Sequence, residues 1–539
     1  MNVALDTLPG VLARLPASDA PWTLSFEPWP HADAQRWRAV MASSAQGRLA
    51  LLADRPLEPL LRLRLESRLK KPVLWWPCEP ADVDTLLEAG EAGYRALGAV
   101  GESFGDGAQV QVAAELSALH LAEQASPVVR LLDATLYDAL QDGASDLHFE
   151  CQLRGMRIRS RIDGVMLDVK QIDGPQAAEQ LVSRLKVMAE LDIGERRLPQ
   201  DGRFKLRVQG REIDFRLSVM PSVFGEDAVI RILDRAAIAR AGTLTLDALG
   251  FGDDERAAIR HQARQPHGML LVTGPTGSGK TTTLYATLAE IHTGADKIIT
   301  IEDPVEYQLS GVVQIPVNEK KGLTFSRGLR SILRHDPDRV MVGEIRDAET
   351  AQIAVQAALT GHLVFSTVHA NNAFDVIGRF MHMGLDLYNV VSALNAVLAQ
   401  RLVRLTCRHC AQAFEPDAAT LARHGLNVGP RSAGTPPAPH GGPAALGSGP
   451  ASSWSNGNFL KGEGCGHCRG TGYKGRRAVA ELLKLDDGLR DLIAARAPMS
   501  EIKAAAKARG MKSLRDMALA AVCRGETTFE ELERVTLDE

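Results

Sequence analysis

The chain has 539 residues, of which 45% are hydrophobic and 24% are charged, a composition typical of globular proteins with several domains. Its 62 basic and 66 acidic side chains give a formal net charge of -4, which excludes a global positive field that would attract nucleic acid. The N-terminal segment lacks a charged start followed by an apolar run, and no apolar stretch is long enough to span a bilayer, so we expect a cytoplasmic protein.

Residues 1–120 contain short apolar blocks that predict a small α/β domain without evident chemistry. Residues 72–77 predict a strand, and residues 81–97 have the periodicity of a helix. The helix face that we expect to be buried carries Val83, Leu86, Leu87 and Tyr94. Residues 102–108 are rich in glycine and polar side chains, which is typical of a linker.

A second domain is predicted over residues 126–238, beginning with a helix over residues 128–141. Residues 156–162 alternate apolar side chains with arginine, as a half-buried strand with one basic face does, and a solvated strand face is the simplest interpretation. Turn signals after this strand and within residues 208–213 predict two hairpins. Over residues 242–539 strands alternate with helices, which predicts a parallel sheet covered on both faces.

The clearest chemical signal is a glycine-rich loop between a predicted strand over residues 268–273 and a predicted helix over residues 282–291. The loop matches G-x-x-x-x-G-K-[ST], in which backbone N–H groups and a helix N-terminus surround phosphate oxygens. We expect Lys280 to reach the β and γ phosphates of ATP and Thr281 to bind Mg²⁺. The predicted nucleotide-binding residues are Gly274, Pro275, Thr276, Gly277, Ser278, Gly279, Lys280, Thr281 and Thr282.

Three further predicted strands, over residues 298–301, 340–343 and 363–368, end in polar side chains. Because ligands bind beyond the carboxyl ends of parallel strands, we expect these side chains to meet at the edge that carries the glycine-rich loop. One acid beside Mg²⁺ and a second near the attacking water would complete a hydrolytic site. The residues alone leave open how these roles are divided among Glu302, Asp303, Glu306 and Glu344.

Four of the seven cysteines form two C-x-x-C pairs, Cys407 with Cys410 and Cys465 with Cys468. Each pair presents two thiolates to one tetrahedral Zn²⁺, and four thiolates leave no open position, so the predicted site is structural. A redox role needs a thioredoxin-like setting, which the sequence lacks. The remaining cysteines are predicted to be small buried hydrophobic residues: Cys78, Cys151 and Cys523.

Residues 411–464 separate the two cysteine pairs by more than the usual spacing. Loop closure entropy grows only slowly with length, so the separation does not exclude a shared metal. Much of the gap is a Gly-, Pro-, Ala- and Ser-rich segment, residues 429–453, whose composition predicts disorder. After Cys468, helical and charged segments are predicted to the end of the chain.

Residues 299–306, 334–347 and 360–371 resemble the Asp box, Walker B box and His box of the secretion ATPase superfamily. Residues 143–150 and 198–203 extend the resemblance, which runs from about residue 126 to the end and covers residues 1–100 only loosely. The tetracysteine element is similar to that of the secretion and pilus extension ATPases and is not a feature of the retraction ATPases.

The resemblance implies an α/β fold in which a RecA-like P-loop NTPase domain over residues 242–539 follows a PAS-like domain over residues 126–238. A small N-terminal α/β domain over residues 1–120 precedes both. The RecA-like domain would include a zinc-binding element over residues 402–478 and C-terminal helices.

The resemblance also implies a homo-hexamer in which the nucleotide lies between the RecA-like and PAS-like domains. By motif position, Glu306 would be the general base and Glu344 would hold Mg²⁺ through water. His362 and His369 would line the site as nucleotide sensors, although a lone histidine at a strand end is more often structural.

In the same family, two arginines of the second domain reach the γ-phosphate, and they correspond to Arg216 and Arg231 here. The planar, permanently charged guanidinium suits developing phosphoryl charge. Arg203 is a weaker candidate for the same role, and the simple alternative is that these arginines lie on the surface.

The sequence therefore predicts ATP hydrolysis that powers pseudopilus assembly for type II protein secretion across the bacterial outer membrane. The alternative in the same class is a type IV pilus extension ATPase, and residues 68–74 resemble the secretion N-terminal domain more closely. Docking of the N-terminal domain to inner-membrane platform proteins would make the protein peripheral to the inner membrane, with indirect membrane contact.

Two other functions are disfavoured. A nucleic-acid motor is disfavoured by the acidic balance and by an aromatic content of only 5%. A nucleotide-binding scaffold without catalysis is disfavoured because Lys280, the two assigned acids and the two arginines are all present.

Overall fold

The computed structural model describes residues 2–4, 22–25, 29, 31–44, 46–55, 65–66, 69, 71–91, 115–116, 127–208, 211–233, 244–426 and 458–536. The chain divides into two compact units, Met1–Ala236 and Ala237–Glu539. The predicted linker at residues 102–108 and the predicted disordered segment at residues 429–453 lie outside the described residues. Among the described residues, no helix combines the length and the apolar character needed to cross a bilayer.

The first sheet of the N-terminal unit contains β1 (Asn2–Ala4), β2 (Trp22–Ser25), β3 (Ala39–Ser44), β4 (Leu49–Ala53) and β5 (Val73–Pro77), in that order. Neighbouring strands are antiparallel except for the parallel pair β4 and β5. The described helices of this part include α1 (His31–Trp37) and α2 (Pro80–Glu91). Strand β5 confirms the predicted strand, and helix α2 confirms the predicted helix as far as Glu91, whereas residues 92–97, including Tyr94, lie outside the described residues. Val83 and Leu86 of α2 are fully buried, and Leu87 is partly buried.

The second sheet contains β6 (Glu115–Leu116), β7 (Asp146–Gln152), β8 (Gly155–Ile162), β9 (Val165–Asp173), β10 (Gln200–Val208), β11 (Arg211–Ser222) and β12 (Gly225–Leu233). The strand order is β6-β10-β11-β12-β7-β8-β9. Helices α3 (Pro127–Gln141) and α4 (Pro175–Met188) contribute apolar side chains to the same core as the sheet. The predicted helix over residues 128–141 and both predicted hairpins are confirmed.

The arginines of strand β8 lie on the solvated face, and each has an acidic partner. Arg157 donates two hydrogen bonds of 2.7 Å to Asp168, and Arg159 pairs with Glu150. Met156 and Ile158, which flank Arg157, are fully buried. The pattern therefore reflects a half-buried strand whose basic side chains are neutralised locally.

The strands of the C-terminal unit are β13 (Gly268–Thr273), β14 (Ile298–Glu302), β15 (Val313–Pro316), β16 (Arg339–Val342), β17 (Leu363–Val368), β18 (Leu394–Thr406), β19 (Ala411–Ala413), β20 (Leu460–Gly462) and β21 (Tyr473–Lys484). The central sheet has the order β15-β14-β16-β17-β13-β18-β21, and β19 pairs with β20. All neighbouring pairs in the central sheet are parallel except β18 with β21. Strands β13, β14 and β17 are buried along their whole length, as the central strands of a covered parallel sheet are.

The helices of this unit are α5 (Asp253–Ala263), α6 (Lys280–Ile291), α7 (Phe325–Ile332), α8 (Ala348–Leu359), α9 (Asp375–His382), α10 (Leu387–Ala393), α11 (Ala418–Arg423), α12 (Asp487–Ala494), α13 (Met499–Ala508), α14 (Leu514–Cys523) and α15 (Phe529–Val535). Short 3-10 turns occupy Leu246–Leu249 and Glu319–Lys321. Side-chain caps fix several helix starts; Ser513 and Asp516, for example, form a reciprocal capping box before α14.

Two sequence predictions are wrong in part. The chain after Cys468 is not purely helical, because β21 adds an antiparallel strand to the central sheet before α12 begins. The apolar residues of β21 are compatible with a helix or a strand, and the antiparallel pairing with β18 stabilises the strand. Cys523 is buried as predicted, but Cys78 and Cys151 are only half-buried.

Candidate functional site

The glycine-rich loop connects the buried strand β13 to the N-terminus of α6, as the motif requires. Gly274 and Gly279 have positive φ angles of 143° and 84°, which favour glycine. A Cβ atom on Gly274 would lie 2.5 Å from the carbonyl oxygen of Gln400, and one on Gly279 would lie 2.9 Å from its Nε2. The loop is therefore packed so closely against β18 that side chains at these two positions would collide with it.

Lys280 lies over the loop, where its Nζ donates hydrogen bonds to the carbonyl oxygens of Gly274 at 2.9 Å and Pro275 at 3.1 Å. Burial lowers the pKa of Lys280, while the nearby Glu344 carboxylate opposes this shift. Thr281 follows in the first turn of α6, whose N-terminal N–H groups and dipole favour an anion. These residues fit a nucleotide phosphate with Mg²⁺, because the loop supplies amides, a cation and a hydroxyl together.

The carboxyl ends of β14, β16 and β17 lie on the same edge of the sheet as the loop. Glu344, two residues beyond β16, has a side chain only 17% exposed and pairs with Arg346. His369 follows β17, and its Nε2 atom lies 3.6 Å from Oε2 of Glu344. Burial, followed by the charge of Lys280, lowers the pKa of His369. Lys280, Glu344 and His369 thus form one cluster.

Among the other acids, Glu302 and Glu306 differ in their surroundings. Glu302 is 2% exposed at the end of β14, where it accepts hydrogen bonds from buried groups. Asp303 is exposed. Glu306 lies on the half-buried loop that follows, and its backbone N–H donates to the Tyr285 hydroxyl at 3.3 Å. Of the three, Glu302 is the one whose carboxylate is sequestered inside the protein.

His362 is not part of this cluster. It precedes β17, whose first residue Leu363 pairs with Gly268 at the start of β13, whereas His369 follows the other end of β17. The length of the strand, roughly 20 Å at about 3.3 Å per residue, therefore separates His362 from the loop. Its Nδ1 lies 3.1 Å from the carbonyl oxygen of Ala357. The expectation that His362 lines the phosphate site of its own chain is wrong.

Sequence reasoning missed Gln400 and Arg401, which approach the loop from β18. Gln400 is 1% exposed and donates to the carbonyl oxygen of Ser278 at 2.7 Å. Arg401 donates to the carbonyl oxygen of Asn371 at 2.6 Å, and burial lowers its pKa. The charge of Arg401 also helps to lower the pKa of Lys280. No short motif marks these residues, because their position depends on β18 lying next to β13.

The four paired cysteines form one cluster at the ends of β18 and β21, and their Sγ atoms all lie within 4.8 Å of one another. The Sγ–Sγ distances are 3.9 Å for Cys407 and Cys465, 3.7 Å for Cys410 and Cys468, and 3.7 Å for Cys465 and Cys468. Sulfurs bound to one tetrahedral Zn²⁺ at about 2.3 Å lie about 3.8 Å apart. The cluster therefore fits a four-thiolate zinc site.

Backbone amides support these sulfurs. The N–H of Gly464 donates to Cys410 at 3.3 Å, and those of Cys465 and Gly472 donate to Cys468 at 3.1 and 3.3 Å. Burial raises the pKa of Cys410 to about 12. Burial also acts to raise the pKa of Cys468, but the backbone donors, together with the thiols of Cys410 and Cys465, outweigh it and lower that pKa to about 6. A bound cation would supply the charge needed to hold all four groups as thiolates.

The candidate arginines of the N-terminal unit form a row across its second sheet. Cross-strand pairing places Arg203, Arg216, Arg231, Asp146 and Arg161 next to one another on adjacent strands. Asp146 is 7% exposed and accepts a 3.0 Å hydrogen bond from Nε of Arg231, whose side chain is 57% exposed. Sequence reasoning did not assign Asp146, although it lies within residues 143–150, which carried part of the resemblance.

The chain is similar to known proteins of bacterial secretion systems. The model of the type II/IV secretion system protein family matches residues 121–534. The chain is 46% identical over 417 residues to type II secretion system protein E of Pseudomonas aeruginosa, covering 77% of each chain. It is 43% identical over 414 residues to type II secretion system ATPase E of Vibrio cholerae, covering 77% of this chain and 76% of that protein.

A relative from Escherichia coli covers more of the chain. The putative type II secretion system protein E of strain K12 is 38% identical over 509 residues, which is 91% of this chain and 94% of that protein. Among solved structures, the Legionella pneumophila ATPase DotB aligns with a TM-score of 0.51 at 18% identity, covering 75% of this chain and 94% of that chain. The DotB likeness supports the RecA-like fold alone.

Proposed function

Because this chain belongs to the family of type II/IV secretion system proteins, we propose that it is the ATP-hydrolysing motor of a type II protein secretion system. The observation that carries the proposal is the shared edge of the central sheet, where the phosphate loop, Lys280, Glu344 and His369 meet. The names of the relatives from P. aeruginosa and V. cholerae support type II secretion as the process that hydrolysis serves.

In this proposal the loop amides and Lys280 hold the β and γ phosphates of ATP. Thr281, through its hydroxyl, and Glu344, through water, would hold Mg²⁺, which would neutralise charge on the phosphates. Glu306 removes the proton of the attacking water, and His369 senses the γ-phosphate beside Glu344. Glu302 does not take the role of the base, because its carboxylate is 2% exposed and accepts three hydrogen bonds from inside the protein, which leaves the attacking water no access to it.

Arg216 and Arg231 complete the site from the second N-terminal domain, which moves over the γ-phosphate when the chain assembles into a hexamer. Their place in one row of the sheet supports a shared ligand, because cross-strand neighbours present their side chains on the same face. A guanidinium reaching the transferring phosphoryl group stabilises the charge that develops there.

Coupling to secretion requires a mechanical output. The proposed output is pseudopilus assembly through inner-membrane platform proteins, which dock on the N-terminal domain over residues 1–120. The tetracysteine cluster would hold one structural Zn²⁺ and takes no part in the reaction, because four thiolates leave no position for a substrate or water.

The test is turnover per chain measured against protein concentration, with ATP affinity measured in parallel. We expect the rate to fall as hexamers dissociate, because the arginines no longer reach the phosphate. Arg216→Ala and Arg231→Ala should each reduce turnover by about 10³-fold or more, while ATP affinity changes less than about tenfold. Lysine should not restore either arginine, since it offers a point charge in place of a planar fork.

Arg157→Ala is the matched control, because Arg157 lies on the same sheet but outside the row that contains Arg216 and Arg231. A rate per chain that stays constant through a demonstrated hexamer-to-monomer transition would refute the role of assembly. Turnover equal to that of the Arg157→Ala control in both arginine variants would refute the role of Arg216 and Arg231.

A further inference from the structure

Glu302 is the centre of a buried hydrogen-bond network. One carboxylate oxygen accepts from the hydroxyl of Tyr285, and the other accepts from Thr300 Oγ1 at 2.5 Å and from Gln314 Nε2 at 3.1 Å. Tyr285 is 0% exposed and Glu302 is 2% exposed. Both oxygens of a buried carboxylate are thus satisfied by internal donors, as burial of a charge requires.

Two of these donors also hold the loop that carries Glu306. The Tyr285 hydroxyl accepts the backbone N–H of Glu306 at 3.3 Å. Gln314 Nε2 donates to the carbonyl oxygen of Tyr307 at 2.9 Å, and its Oε1 accepts the N–H of Leu309 at 2.7 Å. The backbone of the loop is therefore tied at Glu306, Tyr307 and Leu309 to side chains whose other bond goes to Glu302.

Tyr285 also connects this network to the phosphate loop. It lies on α6, which begins with Lys280 and Thr281, so its position is set by the same helix that presents the phosphate ligands. Burial and the bond to Glu302 raise the pKa of Tyr285, so the hydroxyl keeps its proton. It therefore donates to Glu302 and accepts from Glu306 at the same time.

We propose that Tyr285, with Glu302 as its buried partner, is a positioning residue that fixes the loop bearing Glu306 relative to the phosphate loop. This inference rests on the proposed role of Glu306 as the general base. A base works only when its carboxylate lies within hydrogen-bond reach of the attacking water, and small displacements of a catalytic group are costly. Tyr285 contributes to turnover through the placement of Glu306, without contacting the substrate.

The test is Tyr285→Phe, which removes one oxygen atom and leaves the ring packed. We expect kcat to fall roughly 10- to 100-fold while KM for ATP stays within about threefold, because the phosphate ligands are unchanged. In a Glu306→Gln background the same substitution should lower kcat by less than about twofold, since the base it positions is already lost. Tyr473→Phe is the matched control, because it removes the hydroxyl of a half-buried tyrosine that bonds Thr528 at 2.7 Å in the same unit.

The outcomes separate this inference from the proposed function. If Glu306→Gln is slow but Tyr285→Phe turns over like Tyr473→Phe, or if the two effects multiply fully, the positioning role is refuted and the base assignment stands. Wild-type turnover in Glu306→Gln would refute the base assignment and this inference with it. Should Tyr285→Phe fail to fold, Gln314→Leu removes the second anchor of the loop and must show the same loss of kcat with unchanged KM.

Discussion

Gln400 offers the sharpest test of how the phosphate loop is held. Its Nε2 donates to the carbonyl oxygen of Ser278 at 2.7 Å, and its Oε1 accepts from Thr283 Oγ1 at 2.8 Å. Gln400→Glu keeps the size of the side chain and the acceptor for Thr283. It replaces the donor to Ser278 by a second oxygen, which faces a carbonyl with no hydrogen between them. The substitution therefore removes the donor to Ser278 and adds a negative charge beside the loop.

Leaving a buried carbonyl without its donor costs about 1–3 kcal/mol. In the free protein the loop can shift to relieve that cost, and ATP binding must return the loop to its original position. We therefore expect the ATP dissociation constant to rise about 5- to 150-fold. The assay is equilibrium titration with a fluorescent ATP analogue and Mg²⁺. Gln356→Glu is the control, because it makes the same change of charge on the exposed side of α8. Equal affinities in the two variants would refute the proposed anchoring of the loop by Gln400.

Three further predictions concern other parts of the chain. Metal analysis should find about one zinc ion per chain in the purified protein, unchanged when residues 429–453 are deleted, and purified protein that hydrolyses ATP but contains no zinc would contradict this. Glu344→Gln should bind ATP but hydrolyse it slowly in steady-state assays, because the carboxylate acts on the transition state more than on the ground state; full turnover would remove its role. Burial acts to raise the pKa of Glu531, but hydrogen bonds from Arg534 and Arg404 outweigh it and lower the pKa below 4.5. Glu531→Gln removes the charged acceptor of these hydrogen bonds and should cost about 1.5–3 kcal/mol of stability at neutral pH. The difference in melting temperature between Glu531→Gln and the wild type should narrow as the pH falls through 4.5 and below, because the wild-type carboxylate then becomes protonated and loses its charge. A difference in melting temperature that is independent of pH would contradict the assignment.

Much of the ATP site could be predicted from the sequence because its signals are local. Strands β13 and β17 were predicted with the bounds that the structure gives, since a strand buried on both faces is a continuous apolar run. The phosphate loop follows from spacing alone, because glycine and lysine are required at fixed positions. Glu344 and His369 could be placed at the same edge because parallel strands end together.

The residues that sequence reasoning missed owe their positions to long-range pairing. Gln400 and Ser278 are 122 residues apart, and Asp146 and Arg231 are 85 residues apart. Their contacts follow from the orders β13-β18 and β12-β7, which no local pattern specifies. The misplacement of His362 has the opposite cause: it is close to His369 in sequence, but an intervening strand places the two histidines at opposite ends.

Strand β18 explains why the tetracysteine cluster can matter to an ATPase without taking part in its chemistry. Gln400 contacts the phosphate loop, and Arg404 donates hydrogen bonds of 2.8 and 2.6 Å to Glu531 of α15. Cys407 follows directly, and Cys468 lies just before β21, the antiparallel partner of β18. A metal bound there would clamp the ends of both strands. A closed four-thiolate site offers no ligand position, so zinc removal should affect hydrolysis only by displacing β18. Because Gln400 of β18 holds the phosphate loop, we expect the first effect to be weaker ATP binding.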